Sequence, residues 1–193
     1  MQKNDYIKYI HDNINSIEDE DLKSSILQLI NERNFLVETI KKDSLTGAYN
    51  RRILNSVDNY SVAVLCDIDD FKMINDTYGH DIGDRVLKTV TQVLFDNTRS
   101  NDVVCRYGGD EFLIVFKRCG QKLVKERMNY INNIIRNSFK NSRINVSLSV
   151  GISAYEKGKT LETAIKEADI ALYNCKEHGK YGVVEYNKIY IKQ

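Results

Sequence analysis

The strongest constraint on the fold lies in residues 103–116. Two short runs of strand-forming residues, Val103-Val104-Cys105 and Phe112-Leu113-Ile114-Val115-Phe116, flank a polar stretch with adjacent glycines at its centre. Two apolar runs joined through Gly108-Gly109 predict a β-hairpin whose turn needs positive φ, a conformation glycine reaches without a Cβ penalty. Directly after the glycines come Asp110 and Glu111. With no side chains on the glycines, a bulky anion such as a triphosphate can approach the backbone there. Carboxylates beside a phosphate make sense with a cation between them, and a hard divalent ion with oxygen ligands, Mg²⁺, is the natural choice. Taken alone, the stretch Arg106-Tyr107-Gly108-Gly109-Asp110-Glu111-Phe112 also reads as a solvated hairpin tip with two ordinary surface acids.

Upstream, Ser61-Val62-Ala63-Val64-Leu65-Cys66 reads as a buried strand ending in Asp67-Ile68-Asp69-Asp70. The C-terminal end of a buried strand is where the backbone leaves the sheet and a ligand cavity can form. Asp67, nearest the strand, is expected to face the same cavity as Asp110. A short helix over 71–80, stopped by Gly79, leads into a longer one with Val86, Val90, Val93 and Leu94 on its apolar face, running to about Asn97. After the hairpin, Val124, Met128, Ile131, Ile134 and Ile135 mark another amphipathic helix. Residues 145–152 alternate as a half-buried strand should, 160–178 form a helix with Ala164, Ile165, Ala168 and Leu172 inward, and 183–186 form a last strand. The order β-α-α-β-β-α-β-α-β is that of an α+β, ferredoxin-like, palm-type sheet flanked by helices.

Residues 1–42 are different: polar, charged and helical in period. Ile7, Ile10, Ile14 and Ile17 form one stripe, and Ser16 with Asp19 reads as a capping pair opening a second helix. There Leu22, Ile26, Leu29, Arg33, Leu36 and Ile40 recur at alternating steps of four and three, the seam of a coiled coil with one polar interruption. Such a seam pairs either with a second copy of the chain or with the chain's own globular part. The pattern breaks at Gly47, so the expected division is a helical dimerisation and signalling segment, 1–42, and a globular domain, 43–193.

Totals exclude several classes. With 28 Lys+Arg against 27 Asp+Glu, the chain has no electrostatic footprint for nucleic acid. Cys66, Cys105, Cys119 and Cys175 are widely spaced, so buried thiols in a reducing compartment are expected rather than zinc or disulfides. No signal peptide opens the sequence and no apolar run reaches membrane-spanning length, which predicts a cytoplasmic location.

Several motifs together resemble the GGDEF family of diguanylate cyclases. They are Gly108-Gly109-Asp110-Glu111-Phe112; Asp43-x-Leu45-Thr46-Gly47 with Asn50-Arg51-Arg52; Asp67-Ile68-Asp69-x-Phe71-Lys72-x-Ile74-Asn75-Asp76; Gly79-His80-x-x-Gly83-Asp84; and Ala168-Asp169-x-Ala171-Leu172-Tyr173-x-x-Lys176-x-x-Gly179-Lys180. The resemblance covers about residues 43–187 and implies that two GTP condense to cyclic di-GMP, releasing two pyrophosphates, in a homodimer. It implies two Mg²⁺ per site, with Mn²⁺ as a substitute, held by Asp67, the Ile68 carbonyl, Asp110 and Glu111. Asp110 and Glu111 are the implied catalytic pair, with either Asp110 or water taking the hydroxyl proton. For substrate it implies Asn75, Asp84 and His80 at the guanine, and Phe71, Lys72, Gly108, Gly109, Lys176 and Lys180 around the phosphates. Arg99-x-x-Asp102 resembles the family's product-binding inhibitory motif, with Arg127 as a further contributor; on spacing alone that pair also reads as a surface ion pair. Lys180 stands where the family usually has arginine, Tyr181 where it has asparagine and Ala48 where it has leucine. A receptor that binds nucleotide without turnover, and a cyclase making mixed guanine–adenine products, are the alternatives to a specific cyclase.

Overall fold

The computed structural model describes residues 8–10, 12–58, 60–156 and 158–187. They fall into two compact units, divided between Lys42 and Asp43. In the first unit a 3-10 turn, Ile14–Ser16, precedes helix α1, Glu20–Ile40. Asp19 caps α1, its carboxylate accepting the Leu22 N–H at 2.9 Å, and Glu20 and Asp21 add negative charge to the first turn, where the helix dipole favours it. Ser16 is not part of that cap: its hydroxyl donates to the Asn13 carbonyl and belongs to the preceding turn. Ile14 and Ile30 are buried, whereas Leu22, Leu29, Leu36 and Ile40 of the expected seam are each more than 50% exposed. Ile7 lies outside the described residues. Among the described residues no helix is long and apolar enough to cross a membrane.

The second unit is built on a six-stranded mixed sheet, order β1-β3-β4-β2-β5-β6. Its strands are β1 Tyr49–Asn50, β2 Val62–Ile68, β3 Val103–Arg106, β4 Glu111–Phe116, β5 Leu148–Ala154 and β6 Gly182–Glu185. The helices are α2 Phe71–Tyr78, α3 His80–Asp96, α4 Gln121–Ser138 and α5 Leu161–Glu177. Strand β2 is central, antiparallel to both β4 and β5, with every residue buried. The period of two sends its side chains into two cores. Val62, Val64, Cys66 and Ile68 meet Val86, Val90 and Leu94 of α3 and Met128 and Ile131 of α4; Ala63 and Leu65 meet Ala164, Ala168 and Leu172 of α5. Each fully buried aliphatic side chain contributes about 1.5–3 kcal/mol, so β2 anchors whatever its C-terminal end carries.

Strand β5 differs from expectation. It starts at Leu148 and is buried on both faces, because α5 covers the side that Ser149, Gly151 and Ser153 present. A Cβ on Gly151 would stand 2.0 Å from the Ala168 carbonyl oxygen, so glycine lets the α5 backbone lie directly on the strand. The restart after Gly47 is a two-residue edge strand, β1, running parallel to β3, followed by a 3-10 helix, Arg51–Ser56, capped by Asn50.

Candidate active site

Asp67, the penultimate residue of β2, is paired in register with Glu111, the first residue of β4. One step further on, the Ile68 N–H donates to the Asp110 carbonyl at 3.2 Å, so the ladder itself brings Asp67, Ile68, Asp110 and Glu111 to one end of the sheet. The hairpin loop closes as the Glu111 carbonyl accepts from the N–H groups of Tyr107 and Gly108. The glycine pair serves a different end from the one expected: neither Gly108 nor Gly109 has positive φ. Gly108 leaves room for the Glu111 carboxylate, since a Cβ there would stand 2.5 Å from Glu111 Oε2, while Gly109 is open.

The electrostatics of Asp67 follow from this crowding. Burial pushes its carboxyl up, the Lys176 ammonium 2.8 Å away opposes that, and the charges of Asp110 and Glu111 push it up further. Among the described residues no three His, Cys, Asp or Glu side chains stand together as a ready metal shell, and Asp67 is instead bound to Lys176. The donor set is nevertheless that of a hard divalent cation: the charges of Asp110 and Glu111 make Asp67 costlier to ionise, and the Lys176 ammonium opposes them.

The two lysines expected at the phosphates diverge. Lys176 lies in the last turn of α5, but Lys180 lies beyond the helix in a left-handed turn and reaches Asp70 Oδ1 at 2.7 Å. Asp70, itself at φ 54°, immediately precedes α2, whose first two residues are Phe71 and Lys72. Asp70 raises the Lys180 ammonium pKa through this bond, with Asp69 and Asp67 adding to it.

Of the residues expected at the guanine, Asn75 of α2 lies against Gly83 of α3, the residue before Asp84. A Cβ on Gly83 would stand 1.9 Å from Asn75 Oδ1 and 3.3 Å from Phe71 Cζ, so both side chains lie across the glycine next to Asp84. His80 opens α3 rather than closing α2 and is exposed. At the proposed inhibitory motif, Asp102 accepts the backbone N–H groups of Arg99 and Lys117, both at 3.0 Å, so its carboxylate pins a loop to the end of β4. The Arg99 side chain joins Arg127 and Tyr130 around a cavity of about 380 Å³.

Two residues not singled out in the sequence hold the site together. Asp69, 7% exposed, accepts the hydroxyls of Ser147 and Ser149 and the Tyr181 N–H, tying β2's end to β5 and to the Lys180 turn. Arg106 donates through Nε and Nη2 to the Gly109 carbonyl and through Nη1 to Asp43, while Arg51 stacks on Tyr107 at 3.8 Å. A buried Asp in an acidic run is a legible sign of nearby donors; Arg106 left no comparable sign.

The family model described as "Diguanylate cyclase, GGDEF domain" matches residues 40–181. The chain is 37% identical over 169 residues to the uncharacterized protein YtrP of Bacillus subtilis, covering 81% of this chain and 28% of YtrP. It is 32% identical over 179 residues to the diguanylate cyclase DosC of Escherichia coli, covering 82% of this chain and 39% of DosC. The chain thus spans between about a quarter and two-fifths of these relatives' length. The GGDEF domain of DgcB from Caulobacter crescentus, solved in complex with c-di-GMP, superposes with a TM-score of 0.72 at 26% identity, covering 77% of this chain and 94% of that one. With the motif-bearing hairpin, the palm-like sheet and most of the chain matched, the protein belongs to the GGDEF diguanylate cyclase family.

Proposed function

We propose that the chain is a diguanylate cyclase, condensing two GTP into cyclic di-GMP as a homodimer, with product feedback through Arg99. The observation that carries this reading is the in-register pairing of Asp67 with Glu111, with Asp110 bonded alongside. DosC is named a diguanylate cyclase, and the DgcB domain was solved with c-di-GMP, which supports the same chemistry here.

In each half-reaction a 3′-hydroxyl oxygen bonds to the α-phosphorus of the other GTP, the bond to the β-phosphate's bridging oxygen breaks, and pyrophosphate leaves. Asp67, Asp110, Glu111 and the Ile68 carbonyl would hold Mg²⁺, or Mn²⁺ in its place, which supplies charge neutralisation at the reacting phosphate when bound. Lys176 and Lys180 meet the terminal phosphates, and Asp110 or water accepts the hydroxyl proton. Asp84 accepts from guanine N1–H and its exocyclic amine. Adenine has no N1 hydrogen, so it would leave a partly buried carboxylate unpaired and be rejected.

Chromatography of products from Mg-GTP tests the reading. Cyclic dinucleotide should form with wild type, vanish with Asp110→Ala, and accumulate past the wild-type plateau with Arg99→Ala. Binding of GTP without pyrophosphate release would overturn it.

A further inference from the structure

Between α5 and β6 the backbone passes through three successive residues of positive φ: Gly179 at 105°, Lys180 at 61° and Tyr181 at 44°. Glycine enters this region freely, but two L-residues in succession are strained and persist only where their surroundings hold them. Tyr181 is held at three points. Its N–H donates to Asp69 at 3.2 Å, its hydroxyl donates to Asn133 Oδ1 at 2.9 Å, and the Arg136 guanidinium lies 4.2 Å from the ring centroid. Asn133 and Arg136 are three apart on α4 and therefore share a face. Beside the ring opens a cavity of about 580 Å³ lined mainly by polar side chains, among them Asn137, Lys140 and Ser147.

Lys180, the residue before Tyr181, carries its ammonium to Asp70 at the start of α2. A lysine meets a phosphate as a single charge on a flexible four-carbon stem, without the planar fork of arginine. Its usefulness therefore depends on where its backbone is rooted. We propose that Tyr181 is a positioning residue: clamped by Arg136 and Asn133, it locks the strained turn that aims Lys180 at the terminal phosphates of the nucleotide. This rests on the GTP reading above and adds to it a residue that acts through Lys180 rather than on the substrate.

The test is calorimetric titration of the full chain, with Mg²⁺, by a non-hydrolysable GTP analogue and separately by GMP, which lacks the terminal phosphates. Tyr181→Ala is expected to weaken the analogue about threefold to tenfold, the cost of re-ordering one long side chain, and to leave GMP within about twofold. Added to Lys180→Ala, it should change nothing further. Tyr181→Phe keeps the ring under Arg136 and loses the Asn133 bond, so its loss should be intermediate; it also carries the test if the alanine variant does not fold. Unchanged analogue affinity in both variants, equal weakening of GMP, or a loss additive with Lys180→Ala overturns the proposal. If Lys180→Ala itself leaves analogue affinity untouched, the placement of the phosphates fails first, a result distinct from Tyr181 failing while Lys180 matters.

Discussion

A methyl group added at Gly108 would stand 2.5 Å from a Glu111 carboxylate oxygen, whereas at Gly109 it would meet nothing within 4 Å. The obstacle at 108 is the far end of a flexible side chain, so Gly108→Ala should fold with melting changed by only about 1–3 °C, yet lose cyclase activity because Glu111 is displaced. Gly109→Ala should match wild type in the melt. Asp69 has the opposite profile. Asp69→Ala removes the acceptor of two hydroxyls and one backbone N–H, the Ser149 hydroxyl among them fully buried, at a cost of about 2–3 kcal/mol, read as a melting point about 5–10 °C lower. The acidic pair of the hairpin and Asp67 were legible because their types and spacing carry chemistry. Asp69 stood in a legible acidic run, but its partners, 78 and 80 residues away, could not be read locally, and neither could the partner of Arg106, 63 residues away. Positive φ was expected at the glycines of the hairpin; it occurs instead at Gly47, Gly79, Gly158 and Gly179 and, among other residues, at Asp70, Arg118, Lys180 and Tyr181, of which Asp70, Lys180 and Tyr181 are held by contacts distant in sequence.

Among the elements, α5 is the one most tightly set by a single neighbour. On Gly151→Ala the new Cβ would face the Ala168 carbonyl at 2.0 Å and the Leu172 nitrogen at 2.4 Å, both backbone atoms that cannot swing aside. Lifting α5 should cost about 3 kcal/mol and, because α5 carries Lys176, activity should fall with stability in denaturant melts and turnover assays. The hairpin is tied to residue 43 by the Asp43–Arg106 pair, 3.1 Å apart. Burial raises the Asp43 carboxyl, but bonds from Thr46 and Arg106 outweigh it and leave its pKa below the ordinary 3.8. A depressed folded-state value means the pair's contribution is present above the unfolded pKa and lost as pH falls through the folded one. A double-mutant cycle on Asp43→Asn and Arg106→Gln should therefore show coupling of about 1–2 kcal/mol at neutral pH, holding at pH 5 and fading below about pH 4. Long periodic helices and β2 to β4 were readable from their repeats. Strand β1 and the 3-10 helix after it were not, since two residues and one tight turn carry no period, and the polar alternation of Ser147 and Ser149 disguised a strand covered on both sides.

For the whole molecule, the exposed seam of α1 is where dimerisation is expected to act. Sedimentation velocity should show a wild-type dimer fraction rising with concentration, and Leu29→Lys combined with Leu36→Lys should hold the chain monomeric and reduce product formation per chain. Asp67 and Glu111 belong to adjoining, registered strands, so the gap between their backbones is inherited from the ladder, about 4.5–5.5 Å. A reaction centre rooted in that way has no internal dial. An upstream signal cannot throttle output by easing the two carboxylates apart without stripping β2 from β4; on the dimeric cyclase reading proposed above, control falls on the meeting of two half-sites, or on loops outside the ladder such as the one bearing Lys180.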